Sequence, residues 1–307
     1  MEKFICRYFF CSKSLLLTIE QDIFIQFGPI MFNGPQTILF IMKDISMHDL
    51  AKKKAFVSDM DGVIYHGNNL LPGAKEFVNW LNENNRDFLF LTNSSQRTPR
   101  ELREKLLRLG IDVPERNFYT SALATAEFLS TQNPNCTAYV IGDAGLINAL
   151  YEKGISMNDI NPDYVVVGET HTYSYERIEK AALLVTQGAH LIGTNPDMTG
   201  PTEQGIVPAT GSLIAPIELA TGSKAYFVGK PNPLMMRRAV KRLGVHSKET
   251  AIIGDRMDTD VVAGIEAEVD TILVLSGVAD HENMKKFAYR PKHIFSGLDE
   301  FVEYLKK

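Results

Sequence analysis

The residues Ala55-Phe56-Val57-Ser58-Asp59-Met60-Asp61-Gly62-Val63 decide the fold. The first four read as a short strand buried on both faces, as in the middle of a parallel sheet. Two aspartates follow at once, two positions apart, and Gly62 lets the backbone turn sharply after them. Downstream, Gly73 to Asn82 reads as a helix with Phe77, Val78 and Leu81 on one face, and Asp87-Phe88-Leu89-Phe90-Leu91 as the next strand. The following helix has a full start signal: Thr98 as N-cap, Pro99 in the first turn and Glu101 closing a capping box. Leu102, Leu106 and Leu109 line it, and Gly110 ends it.

The alternation continues, the signature of an α/β protein. Strands are expected over 137–142, 164–168, 190–193, 225–229, 250–254 and 271–275. Helices are expected over 145–153, 174–187, 213–221, 233–243, 259–267 and 298–306. Between Pro196 and Gly211 the chain reads as a loop-rich stretch. A length of 307 residues suggests two domains. With no low-complexity linker to divide them, one is expected to be inserted into the other.

Four polar clusters stand directly after expected strands: Asp59-Met60-Asp61-Gly62, Thr92-Asn93-Ser94, Lys230-Pro231 and Gly254-Asp255. In open parallel sheets, ligand groups gather at the carboxyl ends of the strands. Two carboxylates 4 Å apart repel by about 4 kcal/mol at an effective dielectric near 20. A shared proton or a divalent cation must compensate. If Asp255 joins Asp59 and Asp61, three carboxylates form an all-oxygen site suited to Mg²⁺. A phosphate dianion could then approach, met by Lys230 and the Thr92 hydroxyl. One aspartate would attack phosphorus, and the other would protonate the leaving alkoxide and then activate water.

These clusters resemble, in order, the four motifs of haloacid-dehalogenase-type (HAD) phosphatases: Asp59-Met60-Asp61-Gly62-Val63, Leu91-Thr92-Asn93, Val228-Gly229-Lys230-Pro231 and Gly254-Asp255-Arg256-Met257-Asp258-Thr259-Asp260. Val167-Gly168-Glu169-Thr170, Gly193-Thr194-Asn195-Pro196-Asp197 and Leu275-Ser276-Gly277-Val278 resemble the NagD subfamily, and the similarity runs from about Lys54 to Leu305. The resemblance implies a Rossmann-like parallel-sheet core with an α/β cap inserted between the second and third motifs. Residues 47–130 and 225–307 would form the core, and 131–224 the cap. It further implies Asp59 as nucleophile and metal ligand, and Asp61 as general acid/base with its backbone on Mg²⁺. Thr92 and Asn93 would bind the phosphoryl group, Lys230 would bridge it to Asp59, and Asp255 would complete the metal shell. Arg256, Met257, Asp258 and Thr259 would form a substrate-side loop braced by Asp260. Arg256 departs from the Asn common at that position. The implied activity is Mg²⁺-dependent hydrolysis of small phosphomonoesters, nucleoside monophosphates such as UMP and GMP first and sugar phosphates next. A phosphotransferase or phosphomutase on the same core, or a non-catalytic phosphometabolite-binding regulator, are the rival readings.

Two echoes of the motifs are expected to be decoys. Ile141-Gly142-Asp143 repeats Ile253-Gly254-Asp255 without an aspartate five positions on, so Asp143 reads as a turn residue. Gly193-Thr194-Asn195 repeats the second motif, and Asn195 and Asp197 are expected to face the substrate from the cap, not the phosphorus. Cys136, His66 and His171 have no partner pattern.

Composition narrows the rest. Thirty-two Lys and Arg against 37 Asp and Glu, a net −5, argue against a partner that is a nucleic acid polymer. No run of 18 apolar residues predicts a membrane span. Three cysteines without metal-type spacing suit a reducing, cytoplasmic setting. A homo-oligomer is left open. Residues 1–46 differ in composition, holding 7 of the 17 Phe together with Cys6 and Cys11, and show no steady period. They are expected to be either a loosely attached extension or upstream sequence, with Met31, Met42 and Met47 as later starts.

Overall fold

The structure, a computed structural model, describes residues 50–202 and 205–307, together with three strands before them. Those strands, Phe9–Cys11, Ser14–Ile19 and Ile23–Gln26, pair antiparallel within a unit spanning Met1–Ala51. The rest of the expectation for residues 1–46, including the later starts, lies outside the described residues. Lys52–Lys307 form the second unit, which carries the four motifs.

That unit opens with β1 (Ala55–Ser58), α1 (Ala74–Glu83), β2 (Asp87–Thr92), α2 (Pro99–Arg108), β3 (Phe118–Thr120) and α3 (Ser121–Gln132). The expected capping box is present: Thr98 accepts from the Glu101 N–H while Glu101 accepts from the Thr98 N–H at 2.8 Å. Next come β4 (Thr137–Ile141), α4 (Ala144–Glu152), β5 (Ser156–Met157), β6 (Tyr164–Val167), α5 (Tyr175–Thr186) and β7 (His190–Gly193). The stretch read as loop-rich contains a hairpin, β8 (Thr199–Thr202) and β9 (Gly205–Pro208), before α6 (Thr210–Thr221) and β10 (Tyr226–Phe227). The chain closes with α7 (Pro233–Leu243), β11 (Thr250–Gly254), α8 (Val262–Glu266), β12 (Asp270–Val274), β13 (His293–Phe295) and α9 (Leu298–Leu305).

Two parallel sheets result. The core sheet has the order β13-β12-β11-β1-β2-β3, which puts β1 at its centre between β11 and β2. The second sheet has the order β5-β4-β6-β7-β10. Its strands come from one continuous stretch between β3 and β11, so the second α/β layer is inserted into the first. The strand expected over 225–229 opens no core segment. Only Tyr226 and Phe227 pair, with Ile192 and Gly193 of β7, and the Gly229 N–H is drawn instead to the Thr194 carbonyl at 2.7 Å.

β1 shows why its neighbours are apolar. Phe56 points to one face, where it meets Phe77 and Trp80 of α1 and Phe301 of α9 with ring centroids 5.9, 5.8 and 6.3 Å apart. Such edge-on aromatic pairs add about 0.5–1.5 kcal/mol each beyond burial. Val57 points to the other face and joins Leu89, Leu91, Ile252 and α7 in a cluster that continues into Ala138 and Val166 of the second sheet. The floor of the site is thus held from both sides.

Candidate active site

The carboxyl ends of β1, β2 and β11 bring the motifs together. Lys230, 2% exposed, lies beneath them and donates to Asp59 Oδ1 at 2.8 Å and Asp260 Oδ1 at 2.7 Å, with the Leu91 carbonyl at 3.3 Å. Asn232 caps α7 by accepting from the Leu234 N–H, and Pro233 sits in the first turn, so the helix start fixes the segment carrying Lys230. Asp255 is held by one N–H donor: its Oδ2 accepts from Val278 at 2.8 Å, while its Oδ1 is buried without a hydrogen-bond partner. Gly62, at φ 78°, faces it; a Cβ there would lie 2.4 Å from Asp255 Oδ2.

The three carboxylates that converge are Asp59, Asp255 and Asp260, each offering an oxygen within 4.8 Å of the others. The expected trio of Asp59, Asp61 and Asp255 is therefore corrected: Asp260 takes the place of Asp61. The chain turns immediately after Asp59, with the Ile64 N–H returning to the Met60 carbonyl, and this leaves Asp61 exposed. Asp260 arrives instead from a wide π-helical turn, Met257–Val261, and its other oxygen accepts from the Arg256 N–H at 3.2 Å. A Cβ on Gly254 would lie 2.2 Å from the Asp260 side chain, so this close approach requires glycine.

Electrostatics follow from that crowding. Burial lifts the Asp59 carboxyl well above the usual range, Lys230 pulls it back, and Asp260 and Asp255 push it up again. Asp255 is pushed up to about 7, first by burial and then by Asp260. Burial alone would favour a neutral Lys230, but Asp260 and Asp59 overrule it and keep the ammonium charged. Were all three carboxylates ionised, one ammonium among them would leave two negative charges, the charge a divalent cation would balance. The all-oxygen donor set and the unpartnered Asp255 Oδ1 fit such an ion. Asp61 is lifted more gently by desolvation, opposed by Lys105, His66 and Arg97.

The second motif sits beside this group. Thr92 Oγ1 accepts from the Ser94 N–H at 3.1 Å. The Asn93 side chain is occupied, donating to the Lys230 carbonyl at 2.8 Å and to Asp197 Oδ2 at 2.9 Å. Of the expected substrate-side loop, only Arg256 and Asp258 face outward, as a forked pair at 2.9 and 3.1 Å. Met257 is 2% exposed among Val261, Leu273, Ala279 and Met284, and Thr259 is buried. The inward turn that delivers Asp260 also carries these two into the core.

Asp143, read as a turn residue, precedes the first turn of α4 and accepts from the Thr170 hydroxyl at 2.7 Å. Asn195 and Asp197, expected to face a substrate, both bond to Asn93. Glu169 was missed among the site residues: it bonds to Ser94 and Ser95 across the two sheets.

Two family models match this chain, a haloacid dehalogenase-like hydrolase over residues 56–156 and a HAD-hydrolase-like one over residues 227–301. Dihydroxyacetone phosphatase from Corynebacterium glutamicum is 47% identical over 249 residues, 81% of this chain and 90% of that protein. Ribonucleotide monophosphatase NagD from Escherichia coli is 42% identical, over 80% of this chain and 97% of that one. The chain is a NagD-like HAD phosphatase. A solved 4-nitrophenylphosphatase from Thermotoga maritima superposes on this HAD fold with a TM-score of 0.80 at 37% identity, covering 83% of this chain and 98% of the other. The HAD assignment makes this chain a phosphoric monoester hydrolase acting on small phosphorylated substrates. Among the described residues, no helix is long and apolar enough to cross a membrane.

Proposed function

We propose that the chain is a Mg²⁺-dependent phosphomonoesterase that works through an aspartyl-phosphate, in the cytoplasm, on nucleoside monophosphates or sugar phosphates. The observation that carries this reading is Asp59 held at 2.8 Å by a buried ammonium, within a group of three carboxylates whose oxygens converge within 4.8 Å. Asp59, Asp255 and Asp260 would hold the ion, with the Asp61 backbone as a further donor. When bound, the ion supplies positive charge that lets a phosphate dianion enter an acidic pocket.

The chain's own residues then do the chemistry. Lys230 orients Asp59 and opposes the burial that favours its protonated form, and the Thr92 hydroxyl and Asn93 backbone N–H hold phosphoryl oxygens. The Asp59 carboxylate forms a bond to phosphorus as the ester P–O bond breaks, and Asp61 gives its proton to the departing alkoxide. Asp61, now ionised, takes a proton from water. That oxygen attacks phosphorus, the acyl phosphate bond breaks, and Asp59 and inorganic phosphate are released. Desolvation, which raises the Asp61 carboxyl, suits its role as the acid. The inserted sheet would exclude bulk water and choose the leaving group.

The test is phosphate release with Mg²⁺ across dihydroxyacetone phosphate, UMP, GMP, hexose phosphates and nitrophenyl phosphate. No release from any of them sinks the proposal. Solvent ¹⁸O must appear in the phosphate; its absence would point to transfer onto another hydroxyl. For Asp61→Asn we expect about 10²–10⁴-fold loss of kcat on alkyl esters and much less on nitrophenyl esters, which need little acid assistance. Equal losses on both would remove the acid role.

Proton and metal should compete at the carboxylate group. In the unfolded chain Asp255 would titrate near 3.9, whereas in the folded, metal-free protein it holds its proton to about 7. The folded state thus binds more protons across that window, so metal-free stability should fall as pH rises from about 4 towards 7. A cation that binds the deprotonated group should reverse this. Thermal melts should show Mg²⁺ raising Tm little at pH 5 and clearly at pH 8. An equal rise at both would rule out the linkage.

A further inference from the structure

We propose that Glu169 is a positioning residue for phosphate binding: standing at the end of β6 in the inserted cap, it grips the core segment Asn93–Ser95. The inference rests on the assignment of Thr92 and Asn93 to the phosphoryl group. It makes the cap a part of the phosphate site as well as a selector of leaving groups.

Glu169 is a largely buried carboxylate that accepts from hydrogen-bond donors and, among the described residues, forms no salt bridge. A carboxylate in that setting is costly unless its donors require it. Its Oε2 accepts from the Ser95 N–H at 2.9 Å and the Ser94 hydroxyl at 3.1 Å, and its own N–H donates to Ser95 Oγ at 3.0 Å. The two chains thus bond reciprocally. The fit around them is tight. A Cβ on Gly168 would lie 2.7 Å from Ser95 Oγ, and one on Gly145 would lie 2.6 Å from the Ser95 carbonyl oxygen. Two more cap residues take the preceding position: Asn195 donates to the Asn93 carbonyl at 2.8 Å, and Asp197 accepts from the Asn93 amide at 2.9 Å. Each residue from 93 to 95 is therefore bonded to the cap.

The grip reaches the phosphate through Ser94. The Ser94 N–H donates to Thr92 Oγ1, which leaves the Thr92 hydroxyl proton free to point at a phosphoryl oxygen. If Glu169 is removed, Ser94 and Ser95 lose their anchor, and both the Thr92 hydroxyl and the Asn93 N–H lose their fixed direction. Donors that must reorient on binding hold an anion less tightly than preorganised ones. The expected cost falls on phosphate affinity, whatever group the phosphate carries.

The experiment compares wild type, Glu169→Ala, Glu169→Gln and Thr92→Ala in the full chain with Mg²⁺. KM for nitrophenyl phosphate and for UMP, Ki for inorganic phosphate, and Tm are measured. Glu169→Ala should raise both KM values and the Ki together, by about tenfold. Glu169→Gln, whose amide oxygen can still accept from Ser95, should restore most of the affinity. Should Glu169→Ala fail to fold, Ser94→Ala removes one bond of the grip and should shift the same constants in the same direction, by less. An unchanged phosphate Ki in Glu169→Ala, with or without a lower Tm, overturns the proposal. So does a KM shift confined to one substrate, which would place Glu169 at the leaving group. If Thr92→Ala also leaves the Ki unchanged, the assignment of Thr92 to the phosphate fails as well. If Thr92→Ala raises it and Glu169→Ala does not, only the positioning role fails.

Discussion

Asp59→Asn should lose about 10⁴-fold or more in kcat on every phosphomonoester while keeping its fold. An amide oxygen can still accept from Lys230, so the 2.8 Å contact in the pocket survives the change. What disappears is the anionic oxygen that would attack phosphorus, because an uncharged amide is too weak a nucleophile. The substitution also removes a carboxyl that burial lifts far out of its usual range, so the metal-free variant should melt no lower than wild type. The two readouts separate the roles of Asp59: turnover collapses, but thermal stability does not. Acid-quenched reactions with ³²P-labelled substrate should leave label on the wild-type chain and none on the variant. A variant retaining a tenth of normal turnover would take the nucleophile away from Asp59.

Asp59 was legible in the sequence because a buried parallel strand ends where its polar cluster begins, and that order is written locally in Ala55–Asp61. The same holds for Thr92, Lys230 and Asp255, each directly after an apolar run. Asp260 could be named but not placed in the carboxylate group. Its arrival depends on a wide turn and on the missing Cβ of Gly254, neither of which has a period. A clue was present in the five-residue spacing from Asp255 to Asp260, which Asp143 lacks. Glu169 left no local signal, since the Ser95 N–H it accepts from lies 74 positions earlier and the pairing exists only once the two sheets meet. The short strands were hidden for a different reason. β8 and β9 form a hairpin over a segment rich in Gly and Pro, which composition assigns to loops. Tyr226 and Phe227 look like core-strand residues from their side chains, but strand partners are set by topology, and β7 takes them.

Lys230→Met should abolish turnover and, unlike Asp59→Asn, should also destabilise the metal-free fold. Lys230 is 2% exposed, and its ammonium serves two carboxylates at 2.8 and 2.7 Å. Truncating one partner of a buried ion pair leaves the other charge uncompensated, at a typical cost of about 3–5 kcal/mol. Here the remaining charges are three acids within 4.8 Å. They can escape by taking up protons, so the loss should be largest at alkaline pH and smaller near pH 5. A divalent cation offers the second escape, and Mg²⁺ should recover part of the lost stability without recovering activity. Recovery would stay incomplete because Asp59 no longer has the ammonium that orients it. Urea denaturation at pH 5 and pH 8, with Mg²⁺ or with chelator, checks each limb. A variant as stable as wild type at pH 8 in chelator would mean that the three carboxylates do not need Lys230's charge, and the electrostatic account of the site would fall.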